Sequence, residues 1–223
     1  LKTVAKSPYV VGSDFIGEEI NDVTDLKPAI KELVDYVYEV DPDFTIKIHA
    51  GENDSLRDNV SKSIKCIEES LNQGQPMPKV RLGHGLYTED LSSPEGKKLL
   101  RKLKKDNIIL EFQISSNVRL NNLSNLNLHP VKKYLDAGIK CVQGTDGCGF
   151  YGIDTIDEQL ALQNLLHLNN NDFAKMRKVE DEVIDISNKY FEKKSKDFKK
   201  FLNGRNITEA LSELEKENHI KGK

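Results

Sequence analysis

The sequence predicts an α/β fold built on a parallel sheet. Two observations carry this expectation: short apolar segments rich in β-branched residues recur along the chain, and each precedes a longer stretch of helical periodicity. A third, the length of 223 residues, suits one sizeable domain better than two. Five consecutive parallel strands fit either a doubly wound open sheet or part of a closed barrel, and periodicity does not choose between them.

Tyr9 to Phe15 reads as the first strand and leads to a helix from about Asp25 to Val40. Phe44 to His49 is the second, followed by a helix from about Ser55 to Asn72 that Gly74 and Pro76 stop. Val80 to Gly83 leads into a helix near Pro94 to Lys105, whose proline suits a first turn. Ile108 to Phe112 is the fourth strand; the polar run Asn121 to Asn127 reads as loop, and a shorter helix begins near His129 and Pro130. Cys141 to Gly144 is the fifth strand. Helices near Thr155 to Leu168, Asp172 to Phe191 and Ile207 to Glu217 follow, with Gly204 as punctuation and Thr208 helping to start the last. The lysine-rich stretch from Lys189 to Arg205 reads as a solvated helical face.

Composition narrows the function classes. Hydrophobic residues at 37% and charged residues at 31% describe a soluble globular protein with a real core and no apolar run able to cross a membrane. A net charge of -3 offers nucleic acid no long-range attraction, so small-molecule chemistry is favoured and neither nucleic acid nor membrane is expected as a partner. Cys66, Cys141 and Cys148 have no CxxC spacing, and Leu1 opens no signal peptide; a cytoplasmic, disulfide-free protein is expected.

The chemistry gathers where strands end. Polar or glycine-containing strings close four of the five: Asp14 to Glu19, His49 to Glu52, Gly83 to Gly85, and Gly144 to Gly149. In parallel barrels catalytic groups converge from the C-terminal ends of several strands. His49 offers a neutral imidazole and Asp146 a hard anionic oxygen, a pair able to bind a divalent metal and leave room for water. Metal-bound water falls from a pKa near 15.7 to about 7. Glu52 and His84 have the chemistry to move protons and orient that nucleophile, provided both point into the same mouth. Each of these residues taken singly has an ordinary reading, as a hydrogen-bonded structural histidine or a solvated or capping carboxylate.

Taken together the strings resemble a known family. Lys47-Ile48-His49-Ala50-Gly51-Glu52, Arg81-Leu82-Gly83-His84-Gly85 and Gly144-Thr145-Asp146 occur in the order seen in adenosine/AMP deaminases. The string from Val10 to Glu19 resembles that family's fourth barrel strand, and Glu111 to Asn117 its seventh, so the likeness runs from about Tyr9 to Leu160. The resemblance implies the C-terminal part, about strands 4 to 8, of a TIM-type (β/α)8 barrel of the metal-dependent hydrolase type, followed by C-terminal helices. It implies one partial domain over residues 1–223, with barrel elements through 168 and helices over 169–223.

It also implies roles. His49 and Asp146 bind Zn2+, Glu52 hands a proton to the purine ring, and His84 orients the attacking hydroxide, so that Glu52, His84 and Asp146 form the catalytic set. Gly17 contacts the purine through its backbone, with Asp14 and Gly147 in the same substrate-binding region. The implied reaction is hydrolytic deamination of a purine nucleoside or nucleotide with release of ammonia. The His-x-Glu and Pro-Cys-x-x-Cys signature of the cytidine-type zinc deaminases is absent.

Two departures qualify the likeness. The family's His-x-His zinc pair on the first strand has no candidate here: His129 reads as structural beside Pro130, and His167 and His219 as helix surface. A barrel does not close from strands 4 to 8 alone, so an N-terminal half is expected as a partner; without it the chain is expected to bind zinc weakly and catalyse poorly, and a homo-oligomer stays open. Where the family has two adjacent aspartates, Asp146 is followed by Gly147. The glycines from Gly144 to Gly152 either let backbone N–H groups approach a phosphate or make turns with positive φ, and Phe150 and Tyr151 either stack on a base or pack. A non-catalytic nucleotide-binding or assembly module and another amidohydrolase on the same scaffold are the alternatives.

Overall fold

A computed structural model describes residues 7, 9–123, 125–209, 212 and 216. Its centre is a four-stranded sheet in the order β1-β2-β3-β4, made of β1 (Ile46–Ala50), β2 (Val80–His84), β3 (Ile109–Phe112) and β4 (Lys140–Gln143), with every neighbouring pair parallel. This order decides between the two architectures left open by the sequence. A doubly wound sheet reverses its strand order at a switch point; here the order is sequential, and right-handed crossovers then put the connecting helices on one side, as in a (β/α) barrel. The first expected strand is not a continuous one. Residues 9–15 run beside β1 through two isolated parallel bridges, Gly12 with Thr45 just ahead of the strand and Phe15 with Ile48 within it, held by bonds such as His49 N to Phe15 O at 2.8 Å.

The helices form where periodic apolar faces meet a start signal. In α1 (Lys27–Glu39), Pro28 lies in the first turn and Ile30, Leu33, Val34 and Val37 make one buried stripe. Helix α2 (Asn59–Glu68) begins later than expected, because residues 51–58 form bends and turns. Helix α3 (Pro94–Lys105) has the expected bounds: Ser93 Oγ accepts from Gly96 N at 3.0 Å, and lysines fill the last turn, where the helix dipole favours them. Gly96 is obligatory, since a Cβ there would lie 2.0 Å from Asp90 O.

Helix α4 (Ile114–Arg119), which follows β3 at once, is absent from the sequence reading. Its cap comes from far along the chain: the fully buried Glu158 carboxylate accepts from Ile114 N and Ser115 N. Helices α5 (Val131–Asp136), α6 (Cys148–Tyr151) and α7 (Thr155–Leu166) follow, the last opened by a reciprocal Asp154–Asp157 capping box. Helix α8 (Asn170–Leu202) runs well past the expected stop at Phe191. Of the final expected helix, residues 207–209, 212 and 216 are helical and the rest lies outside the described residues. Its cap is Asn206, whose Oδ1 accepts from Glu209 N at 2.9 Å, rather than Thr208.

Helix α8 spans the sheet from edge to edge. Lys140 Nζ meets Glu182 Oε1 at 2.8 Å beside β4, while Lys193 Nζ reaches Asp43 Oδ2 at 3.2 Å ahead of β1, and Tyr190 donates to Asp41. The lysine-rich face is therefore not all solvated: Lys194 is 9% exposed, lies over the Tyr190 and Phe44 rings, and donates to Val10 O at 2.6 Å. Between α8 and the strand residues Lys47, Arg81 and Ile109 lies a cavity of about 850 Å³. All three cysteines are free, and among the described residues no helix is long and apolar enough to cross a membrane.

The start of α8 gives a pH-dependent stability term. Asp172, whose side chain is fully buried, accepts from Lys132 Nζ at 2.7 Å and from Asn169 N at 3.1 Å. Burial alone would raise its pKa, but Lys132 and the Asn169 N–H outweigh it and hold it below the ordinary 3.8. A depressed folded-state pKa contributes stability that is fully present above the unfolded value and lost as pH falls through the folded one. Asp172→Asn is therefore expected to lose less thermal stability than the parent between about pH 5 and pH 3. Parallel losses in the two proteins would refute it.

Candidate active site

The strand alternation delivers the site. In β1 the side chains of Ile46, Ile48 and Ala50 are buried against the helices, so Lys47 and His49 point to the opposite face. The register sets His49 opposite Gly83 and Ala50 opposite His84. Gly83 makes room for the imidazole, since a Cβ there would lie 3.1 Å from His49 Cδ2. The His49 and His84 rings then meet edge-on, with centroids 5.0 Å apart at 68°. Left-handed backbone at His84 (φ 69°) and at Asp146 (φ 53°) marks both strand ends as strained, which a non-glycine residue tolerates only where its surroundings enforce it.

His49, Glu52 and His84 each offer one ligand atom, and these atoms lie within 4.8 Å of one another. Neither ring nitrogen of His49 has a hydrogen-bond partner although both are buried; Nε2 is 3.3 Å from Asp14 Oδ1, without hydrogen-bond alignment. Bare, buried imidazole nitrogens beside carboxylates fit a divalent metal such as zinc, the donor chemistry such an ion takes. Asp146 stands just beyond β4, its Oδ2 accepting from Ser116 Oγ at 2.6 Å, with Tyr151 OH 3.4 Å from the same hydroxyl. Asp14 also pairs with Lys47 at 3.2 Å; burial would raise its pKa, but His49 and Lys47 outweigh this and lower it.

Proton states divide the cluster. Burial raises the pKa of Glu52, opposed by His49 and assisted by the charges of Asp146 and Glu19. Burial, with His49 nearby, lowers that of His84 to about 4, so the ring is neutral at pH 7. Asn117 Nδ2 lies 3.1 Å from His84 Nδ1. With the amide donating, Nδ1 accepts and the ring proton resides on Nε2, which faces Glu52 Oε2 at 3.7 Å. An imidazole held this way is a hydrogen-bond donor to the site, whereas His49 is free to give a lone pair.

Gly17 is exposed in open space. Gly147 opens α6, its carbonyl accepting from Phe150 N at 2.8 Å and Tyr151 N at 2.9 Å, so the glycine-rich string closes on itself as a helical turn. Among its glycines only Gly152 has positive φ, at 62°. Phe150 is 95% exposed, against the packing reading, while Tyr151 turns toward Ser116. His129 is buried on Phe112 and accepts from Val131 N at 3.3 Å, as a structural histidine does. His167 forms the left-handed C-cap of α7, and His219 lies outside the described residues. Three residues that sequence reading quoted without a role prove to touch the site: Ser116 on Asp146, Asn117 on His84, and Glu19 on the backbone of Gly51, Glu52 and Asn53. Only their polar character inside otherwise apolar or glycine-rich strings could have signalled them.

Comparison with known proteins agrees with this geometry. The profile of the family described as Adenosine deaminase matches residues 3–196. Adenosine deaminase of Plasmodium gallinaceum is 37% identical over 166 residues, which cover 74% of this chain and 40% of that protein. The adenosine deaminase of Clostridium acetobutylicum is 31% identical over 157 residues, 70% of this chain and 40% of that one. The chain thus spans about 40% of the length of these curated relatives. An adenine deaminase structure from Arthrobacter aurescens aligns with a TM-score of 0.55 at 17% identity, covering 74% of this chain and 44% of that one, a likeness of fold.

The Gly83 contact makes a prediction. Gly83→Ala should push the His49 ring and weaken binding of a divalent metal by about 10-fold or more, the scale on which disturbing a ligand's surroundings acts, while Gly17→Ala leaves it unchanged. Zinc titration of the protein at its native length reads both; equal affinities in parent and Gly83→Ala would refute the packing argument.

Proposed function

The chain belongs to the adenosine deaminase family, and from that premise we propose that it supplies the acid–base machinery of a hydrolase that removes the amino group of a purine nucleoside or nucleotide. The observation that carries the reading is the meeting of His49, Glu52 and His84 beyond the C-terminal ends of β1 and β2, with the pKa of Glu52 raised and that of His84 lowered.

His49, through a bare ring nitrogen, and Asp146, through its carboxylate, would hold a zinc ion, with two further histidine ligands coming from the part of the relatives' length that this chain does not span. Bound there, the ion would supply Lewis acidity, bringing the pKa of water from 15.7 toward about 7.

The chain's own residues do the rest. Glu52, whose pKa is raised by burial, keeps a proton to higher pH than an exposed glutamate and gives it to the ring nitrogen beside the amino-bearing carbon. That carbon becomes electrophilic as the water oxygen bonds to it. His84, neutral and carrying its proton on Nε2, orients the water by donating a hydrogen bond. The proton that the water releases as its oxygen bonds passes, by way of the Asp146 carboxylate, to the amino nitrogen, and collapse of the tetrahedral carbon breaks its bond to that nitrogen, which leaves as ammonia. Asp14 and Gly17, on the segment beside β1, and Gly147, at the start of α6, would border the purine.

The test is zinc content and ammonia release in the protein at its native length, across adenosine, AMP and ATP. Glu52→Gln should lower kcat by about 10²–10⁴-fold with zinc retained, the range of a lost general acid, and His49→Ala should lose both zinc and turnover. Unaffected turnover in Glu52→Gln would overturn the acid's assignment, and well-bound zinc without ammonia from any purine would overturn the reaction.

A further inference from the structure

Glu19 is a buried carboxylate, 7% exposed, in the turn that follows the segment beside β1. Among the described residues no lysine, arginine or histidine stands within ion-pair distance of it. A buried charge without a counter-ion is costly unless hydrogen bonds replace its hydration. Here four donors do so. Oε1 accepts from Gly51 N and from Asn59 Nδ2 at 3.1 Å, and Oε2 from Glu52 N and from Asn53 N at 3.1 Å. Three consecutive backbone N–H groups thus turn inward onto one anion, the concave arrangement that backbone uses to bind an anionic ligand.

That turn is forced at Gly51. Its φ of 74° suits glycine, and a Cβ would lie 2.3 Å from Tyr87 O and 2.9 Å from Val60 Cγ2. Beyond the turn, Asn59 ties the carboxylate to the start of α2 and also accepts from Val23 N at 3.4 Å. The backbone of Glu52 is accordingly clamped from two sides, by β1 before it and by Glu19 beneath it.

We propose that Glu19 is a positioning residue: by gathering the N–H groups of Gly51, Glu52 and Asn53 it holds the Glu52 carboxyl at the angle from which it delivers its proton to the substrate. The role of Glu52 rests on the function proposed above; the clamp on its loop does not. The nearly isosteric Glu19→Gln turns an NH2 toward N–H groups that need acceptors, releasing the loop without changing the volume it packs on.

The experiment uses the zinc-loaded protein at its native length. Glu19→Gln should lower kcat about 100-fold, the cost of misplacing a reacting group by roughly 1 Å, with KM within about threefold and zinc content unchanged. Hydrogen-exchange mass spectrometry should find the 51–53 amides at least about tenfold less protected, and those of β1 unaltered. Asn59→Ala, which removes the tie to α2 and the acceptor of Val23 N but leaves the three backbone N–H bonds to Glu19 in place, should keep kcat within about threefold. Should Glu19→Gln fail to fold, Glu19→Asp, which keeps the charge and shortens the reach, carries the same readouts. A kcat within about threefold of the parent in the Glu19 variant, or an equal loss in Asn59→Ala, overturns the proposal. If the parent releases no ammonia, the reaction assignment fails and exchange alone decides the clamp: unchanged 51–53 amides overturn it, faster ones uphold it.

Discussion

Alternation along β1 is the constraint on which the site depends. Ile46 and Ile48, buried to 1% or less, face the helices, and Lys47 and His49 face away. A slip of one residue would reverse all four. Exposing the two isoleucines would cost roughly 3–6 kcal/mol, a large share of the roughly 5–15 kcal/mol that holds a domain together. Hydrophobic burial that never touches the chemistry thus fixes which way His49 points. The same register sets His49 opposite Gly83, where its ring fits, and brings His84 to the end of β2 beside it.

Below His49 the face turned from the helices is charged where a packed barrel interior would be apolar. Lys47 Nζ meets Glu111 Oε1 at 3.0 Å, and Arg81 pairs with the other oxygen of the same carboxylate. Burial would raise the pKa of Glu111, but Arg81 and Lys47 outweigh it and hold it down; burial would lower that of Lys47, but Glu111 and Asp14 raise it. Such charges persist out of water only as a matched set, since leaving one unpaired costs several kcal/mol. Lys47 also reaches Asp14 at 3.2 Å, so the network that floors the site anchors the carboxylate bordering His49. Fixed charges on rigid strands hold a field steady better than loops can.

What the sequence made legible was local or periodic. The four strands of the sheet, the bounds of α3 and the strings at strand ends all follow from spacing within a few residues, whereas the order of the strands did not. What it hid depends on distant partners. The cap of α4 is Glu158, 44 residues from Ile114; the residue that sets the tautomer of His84 is Asn117, 33 residues on; the clamp on the Glu52 loop is Glu19, 32 residues before Gly51. Lys194 misled for the same reason, because a lysine reads as solvated until Val10 O and two aromatic rings arrive from 184 and fewer positions away. The segment at 9–15 has the apolar pattern of a strand yet pairs alongside β1 only at two points, a matter of pairing continuity that composition does not encode.

His49 and His84 are the same residue type with rings in contact, and the fold gives them different surroundings. Two imidazolium ions at 5.0 Å in a buried setting would repel, and burial with His49 nearby holds His84 neutral. Neutrality alone leaves its tautomer open; the Asn117 amide closes that choice by occupying Nδ1. Its Nε2 then presents a proton and no lone pair, while His49, with neither nitrogen hydrogen-bonded, presents a lone pair. Glu52, at 3.7 Å from Nε2, is too far to be committed to a hydrogen bond with it, so its carboxyl is not tied down by His84. In the proposed reaction, ligand, orienting donor and acid would thus be told apart by their neighbours rather than by their side chains, which is why the strand-end strings could name the residues but not their states.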